Sequence, residues 1–397
     1  MTIPLDDVLD ALELPREKPS FPYLERLFSR FSSRVLFETA SKILRNADVS
    51  DPEEKPRLPD VFWRDFLEWG TGGTCYARVA ALDALLSSLG FATRKALGKV
   101  EKDFDHAALF VDAGGTEWLA DVGFPLPGLL PGGGGEVETE VAALSATGTA
   151  PGLDVRFVSG VPEGPRRLEI FRSPVSEGEF LARWRETFGA GSKFLEAVSL
   201  QRRGGSRVLT FARGEVRVDD LHSRTRIPLV AGRPRKLAEL FAIEKEILSR
   251  AFSIAGDPDP ETRDARITAY LQVPTDAQSA FEAIGTPEGY RRLMEGVADV
   301  GGEGWRFRFS PPGVAEAGFE EEVTPDPERH ALDVHRRYAE GRRVPLSFRV
   351  EVRNGETWLI REAVLSGPRE DLLVNDSARG RLAGTLAADL LGWARLV

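Results

Sequence analysis

The chain has 397 residues, of which 42% are hydrophobic and 29% charged, a balance suited to a globular protein able to bury more than one core. A net charge of −10 argues against nucleic acid or an anionic membrane as the main partner, and a single cysteine excludes a disulfide framework and multi-cysteine zinc sites. No basic leader precedes an apolar stretch at the N-terminus and no apolar run reaches about 18 residues, so no secretory signal or membrane span is expected and the cytoplasm is the expected location.

Residues 1–50 read as helical. Pro19-Ser20 stands ahead of Tyr23, Leu24, Leu27, Phe28 and Phe31, an amphipathic set, and Phe37 is a candidate pocket wall. Residues 51–58 form a polar, proline-bearing connection. Val61, Phe62, Phe66 and Leu67 then make a short helix that delivers the chain to Gly72-Gly73-Thr74-Cys75. Beyond it, Leu82, Leu85, Leu86 and Leu89 recur at helical spacing and predict one buried face. Cys75 thus stands where a loop runs into a helix. The positive end of the helix dipole and its unpaired N–H groups bias a thiol toward thiolate, its nucleophilic form. The paired glycines let the backbone approach a substrate closely, beside Gly73 and Thr74.

After Gly90 the pattern changes. Residues 91–100 and 106–111 suit strands, 112–115 a turn, 117–124 a returning strand and 128–135 (GLLPGGGG) a flexible loop. His106 precedes the turn and Asp121 follows it. With Ala113-Gly114 at the centre of the turn, His106 faces Asp121 directly; with Gly114-Gly115 there, Asp121 is a diagonal neighbour on the same face. Either register lets Asp121 orient His106 and His106 deprotonate Cys75, so Cys75, His106 and Asp121 are the expected catalytic residues. His330 and His335, five apart, share neither a helical nor a strand face, and no metal site is expected.

Residues 137–230 alternate short strand-like pieces with Gly and Pro turns, and 236–252 return to helical periodicity. Residues 255–263, with two prolines and a glycine, read as a linker. Beyond it lie a strand at 267–273, helix starts at Asp276 and at Thr286-Pro287, and a half-exposed strand in which Trp305, Phe307 and Phe309 alternate with arginines. Asn354-Gly355 is a hairpin signal, and a long helix is expected from about Ser377. The expected fold is α+β. An N-terminal helical bundle plus a β-barrel or sheet with a cysteine-protease-like triad occupies 1–254, and a C-terminal α+β domain occupies 264–397.

The run Thr71-Gly72-Gly73-Thr74-Cys75-Tyr76-Ala77, then Leu89-Gly90-Phe91, His106 and Asp121-Val122-Gly123-Phe124, resembles the arylamine N-acetyltransferase family, whose motif is roughly Arg-Gly-Gly-x-Cys-Phe-Glu, Leu-Gly-Phe, a strand histidine and Asp-Val-Gly-Phe. Leu36-Phe37-Glu38-Thr39 looks like the family's Pro-Phe-Glu-Asn segment, and the resemblance spans roughly 15–252. It implies a Cys75–His106–Asp121 triad, substrate contacts at Phe37, Gly73, Thr74 and Phe124, and no bound cofactor. Acetyl-CoA or another acyl thioester, on CoA or an acyl carrier, is the implied donor, and a small aromatic amine, hydrazine or hydroxylamine the acceptor. Thr71 and Ala77 replace the family's arginine and glutamate, and Pro125 replaces a glycine in the loop that helps admit the donor. Residues 263–397 resemble a START or polyketide-cyclase-type helix-grip domain by their order of elements, which implies an apolar ligand. Two other readings share these residues: a triad amide hydrolase or transglutaminase-like enzyme, with an amide synthase as a narrower variant of acyl transfer, and a ligand-binding protein with a vestigial triad.

Overall fold

The computed structural model describes residues 3–124, 126, 128–149, 152–160, 166–189, 191–192, 194–221, 223–229, 233–256, 264–294, 299–310, 319–338, 343–353 and 355–366. Pro125, most of the expected linker and the helix expected from Ser377 lie outside these residues. The chain divides into two compact units, Met1–Arg213 with Gly232–Asp259, and Gly214–Ala231 with Pro260–Val397. The strands Glu215–Asp219 and Ser223–Pro228 go with the second unit because Ser223 to Arg226 pair with Leu271 to Thr268. No helix among the described residues is long and apolar enough to cross a membrane.

In the first unit five helices come first: Leu5–Ala11, Phe21–Arg34, Ala40–Asp48, Pro59–Trp69 and Cys75–Ser88, with the two-residue strand Phe37–Glu38 between the second and third. Ser20 caps its helix as a polar residue before a proline-bearing first turn should, accepting from the Tyr23 N–H at 3.3 Å. An eight-stranded antiparallel sheet follows. Its spatial order is Leu130–Pro131, Thr116–Leu119, Asp103–Ala113, Ala92–Lys99, Arg167–Phe171, Gly152–Gly160, Ala142–Gly148 and Gly134–Glu138. The two ends of that order are neighbours in the chain, so the sheet curls until it nearly closes. The strand Asp103–Ala113 is buried on both faces. Ala107, Leu109 and Val111 pack with the helices, while Ala108 and Phe110 point into the curled sheet with Leu119, Leu130 and Phe157.

The cysteine helix buries the expected face, Leu82, Leu85, Leu86 and Leu89, and Cys75 through Leu82 are buried all round, because its first two turns run through the middle of the core. Three expectations are corrected. The returning strand ends at Leu119, not Phe124, because the Asp121 carboxylate binds the Gly123 and Phe124 N–H groups and turns the chain. Residues 128–135 are no loose loop: Leu130 is fully buried in a strand, and Gly134 begins the next one at φ 99°. The 236–252 pattern is two helices, Arg233–Phe241 and Lys245–Ala255, broken at Ala242 with φ 54°. A helix at Glu177–Glu186 appears inside the strand-rich stretch, capped by Ser176 and burying Phe180 and Trp184.

The second unit begins its last stretch with the strand Asp264–Val273 and two short helices, Ala277–Glu282 and Pro287–Met294, capped by Asp276 and Thr286. Six strands follow: Asp299–Glu303, Arg306–Ser310, Phe319–Asp326, Ala331–Tyr338, Arg343–Arg353 and Glu356–Ser366. Each pairs antiparallel with the next, and the last returns to pair with Asp264–Val273. Arg353 faces Glu356 across the expected turn, with Gly355 at φ 82°. Phe307 is buried against Tyr290, 5.1 Å between ring centres. Behind them Glu321, itself buried, accepts from Tyr290 Oη at 2.6 Å and from Arg336 Nε at 2.7 Å, and lies 3.7 Å from the fully buried Arg361. Removing one member of such a cluster leaves buried charge uncompensated. Glu321→Gln is expected to cost roughly 3–5 kcal/mol of stability, read as the shift in urea unfolding, whereas replacing the exposed Glu322 is expected to cost less than about 1 kcal/mol.

Candidate active site

The site begins with a close approach of two backbones. Gly73 N–H donates to Leu36 O at 3.2 Å and Glu38 N–H donates to Gly73 O at 3.2 Å, so Phe37 is bridged to Gly73. A Cβ at position 72 would lie 1.8 Å from Leu36 O, so only glycine allows this approach. Thr74, buried with extended backbone, precedes Cys75, the first residue of its helix. Cys75 is 4% exposed, with Sγ 3.9 Å from Asp105 O.

Two buried arginines that sequence reasoning missed fasten this turn. Arg57 donates to Thr71 Oγ1 and to Asp65 Oδ2, each at 3.2 Å, and to Gly72 O. Arg78, one turn into the cysteine helix, donates to Val122 O at 2.7 Å and to Val35 O, tying the helix to the segments that carry Asp121 and Phe37. Burial opposes the charge of both, and Glu38 supports both, with Asp65 beside Arg57 and Asp121 beside Arg78. A signal for Arg78 existed, since an arginine on an otherwise apolar helix needs internal partners. Arg57, in a polar connection, gave none.

The hairpin turns at Gly114-Gly115, with φ of 63° and 79°, and Ala113 faces Thr116. This is the second of the two expected registers. Both central residues of such a turn need positive φ, which favours the glycine pair over Ala113-Gly114. Asp121 therefore sits diagonally from His106, and its Oδ2 lies 2.7 Å from His106 Nε2. Its Oδ1 accepts from Gly123 N–H at 2.8 Å and Phe124 N–H at 3.0 Å. Nδ1 is the His106 ring nitrogen that Asp121 does not engage, and the neighbouring Cys75 supports charge on the ring. Gly123 closes the group: a Cβ there would lie 2.5 Å from Cys75 Cβ and 2.9 Å from His106 Cε1. Burial opposes charge on His106, but Asp121 and Cys75 outweigh it and push its pKa up to about 10. His106 is thus set up as an imidazolium at neutral pH, beside the Cys75 side chain.

Phe37 and Phe124 line one cavity with Leu126, Gln201, Arg203 and Val208, and Arg78 and Asp121 border it. The Phe124 ring stands edge-on to His106 at 6.1 Å and tilts against Phe157 at 5.7 Å. The structure thus brings together Cys75, His106, Asp121, Phe37, Gly73 and Phe124, with Thr74 adjoining Cys75. The candidate site lies wholly in the first unit.

Residues 23–131, the stretch holding Cys75, His106 and Asp121, match the family model described as N-acetyltransferase. Solved structures of arylamine N-acetyltransferases share the fold. The enzyme from Mycobacterium abscessus is 20% identical, with 64% of this chain and 96% of that one covered at a TM-score of 0.55. The enzyme from Nocardia farcinica is also 20% identical, with 64% and 95% covered at 0.54. That from Mycobacterium marinum in complex with CoA is 17% identical, with 64% and 98% covered at 0.53. No curated protein sequence was found similar to this chain. The likeness takes in nearly the whole of each relative and leaves about a third of this chain outside it.

The His106 interaction makes stability depend on pH with a definite sign. Its folded pKa lies above the unfolded value of about 6.5, so its stabilisation is complete below that pH and is lost as pH rises through about 10. Asp121→Asn removes both the opposing charge and the charged acceptor. The difference in unfolding free energy between wild type and Asp121→Asn is expected to shrink by roughly a few kcal/mol between pH 6 and pH 10.5, measured by urea titration.

Proposed function

We propose that the first unit is an acyltransferase that carries an acyl group from a thioester, acetyl-CoA or a close relative, through Cys75 to an aromatic amine, hydrazine or hydroxylamine. The observation that carries this reading is the Cys75–His106–Asp121 arrangement at a helix start, beside a cavity walled by Phe37 and Phe124. The N-acetyltransferase match across 23–131 supports it, as does the likeness to an enzyme solved with CoA.

The thiolate of Cys75 attacks the thioester carbonyl. The first N–H groups of the cysteine helix, which have no intrahelical acceptor, face the oxyanion that forms. As the carbonyl re-forms, the donor's C–S bond breaks, and His106 gives its proton to the departing thiolate. The acyl group now sits on Cys75. The amine attacks it, neutral His106 takes the amine proton, and Cys75 leaves as thiolate, which restores the starting pair. Asp121 holds the ring in the tautomer that both half-reactions use. For the second unit, the strand–helix–helix–strand order supports a helix-grip domain for an apolar ligand. Incubation with one non-volatile apolar ligand series and native mass spectrometry tests that part on its own.

Incubation of the folded protein with acetyl-CoA is expected to add one acetyl group to Cys75, seen by intact mass and lost on adding an arylamine. Cys75→Ala should show no adduct, and transfer by Cys75→Ser or His106→Ala should fall by roughly 10⁴-fold or more. Folded wild-type protein that accepts no acyl group from any thioester would sink the reading.

A further inference from the structure

Among the described residues, three cations are buried around the cysteine helix. Arg57 and Arg78 have carboxylates and carbonyls to answer them. Lys42, on the helix Ala40–Asp48, has neither. It is 5% exposed, and its Nζ has no hydrogen-bond acceptor among the described residues. Aromatic faces surround it instead: the ammonium lies 4.9 Å from the centre of the Phe188 ring and 5.7 Å from that of Phe194. Phe194 stands edge-on to Phe37 at 5.8 Å, and Phe37 is bridged to Gly73 in the cysteine turn. Two rings, Phe194 and Phe37, thus lead from the amine to the cysteine turn. Cys75 is the titratable group whose charge reaches it.

Cation–π contacts offset only part of the cost of burying an ammonium, and among the described residues no carboxylate is paired with Lys42 to supply the rest. We propose that Lys42, with Phe188 and Phe194, forms an anion subsite beside Cys75 that receives the carboxylate of a substrate. One cation matches a monoanion, whereas a phosphate dianion would bring uncompensated charge into an apolar box. Burial drives the Lys42 pKa down to about 8, with the Cys75 charge opposing that fall, so the subsite is cationic at neutral pH and loses its charge above pH 8. The carboxylate can come with the acyl group, as in a dicarboxylic half-thioester, or with the aromatic amine.

The subsite adjoins the proposed nucleophile but can be tested without any acyl transfer. Iodoacetate and iodoacetamide alkylate the same thiol and differ chiefly in charge. In wild-type protein the iodoacetate-to-iodoacetamide rate ratio at Cys75, read by mass spectrometry, should fall as pH rises through about 8. Lys42→Met should lower that ratio by roughly tenfold at pH 7 and remove the fall near pH 8, and Lys42→Arg should restore the ratio without the fall. Equal ratios in wild type and Lys42→Met overturn the proposal, as does alkylation by neither reagent. A second pair of comparisons, succinyl-CoA against acetyl-CoA and 4-aminobenzoate against aniline, identifies the source of the carboxylate by which kcat/KM depends on Lys42. Dependence in neither pair also overturns it. If no thioester acylates Cys75 yet the alkylation ratio follows Lys42, the subsite stands and the acyltransferase reading falls.

Discussion

The Asp121 carboxylate is completely buried, and each of its oxygens does different work. Oδ2 holds the His106 ring; Oδ1 gathers the Gly123 and Phe124 N–H groups. A buried carboxylate survives only when its lone pairs and charge are answered. Here three donors and the nearby Arg78 guanidinium answer it. Those same bonds end the strand at Leu119, bring Gly123 against Cys75, and aim the Phe124 ring at His106. One ionised group thus fixes the orienter, the base and one wall of the cavity.

The cysteine turn is built by the opposite means, through the absence of side chains. Gly72 and Gly73 let the chain lie against Leu36 and Glu38, and that contact carries Phe37 to the site from a distant part of the sequence. Arg57 and Arg78 then bind carbonyls that regular secondary structure leaves unpaired. Close backbone packing needs such donors, because its carbonyls are shut off from water. The rigidity of the nucleophile and the burial of these two cations are two aspects of one arrangement.

Much of this was legible in the sequence because local rules govern it. The loop-to-helix step at Cys75, the turn between His106 and Asp121, the caps at Ser20, Asp276 and Thr286, and the turn at Gly355 all depend on neighbours within a few residues. The choice between two hairpin registers was readable too, had the demand for two positive φ angles been pressed. So was the helix Glu177–Glu186, since Ser176 and Glu179 have capping-box spacing and Phe180 and Trp184 share a face. The burial of Arg57 and Lys42 was not readable. Whether a cation faces water or the core is decided by elements far away in the chain, and no periodicity records it.

Thr71 stands where the resembled motif has arginine, and position by position the cation looks lost. In space a cation nonetheless stands at the turn. Arg57 Nη1 touches Thr71 Oγ1 and its guanidinium holds the Gly72 carbonyl, so the turn keeps a buried cation from another place in the chain. An arginine restored at 71 would press a second guanidinium against the first with no room for both to be answered. A comparison confined to residues 71–77 would therefore miss the cation that fastens this turn, because it comes from position 57.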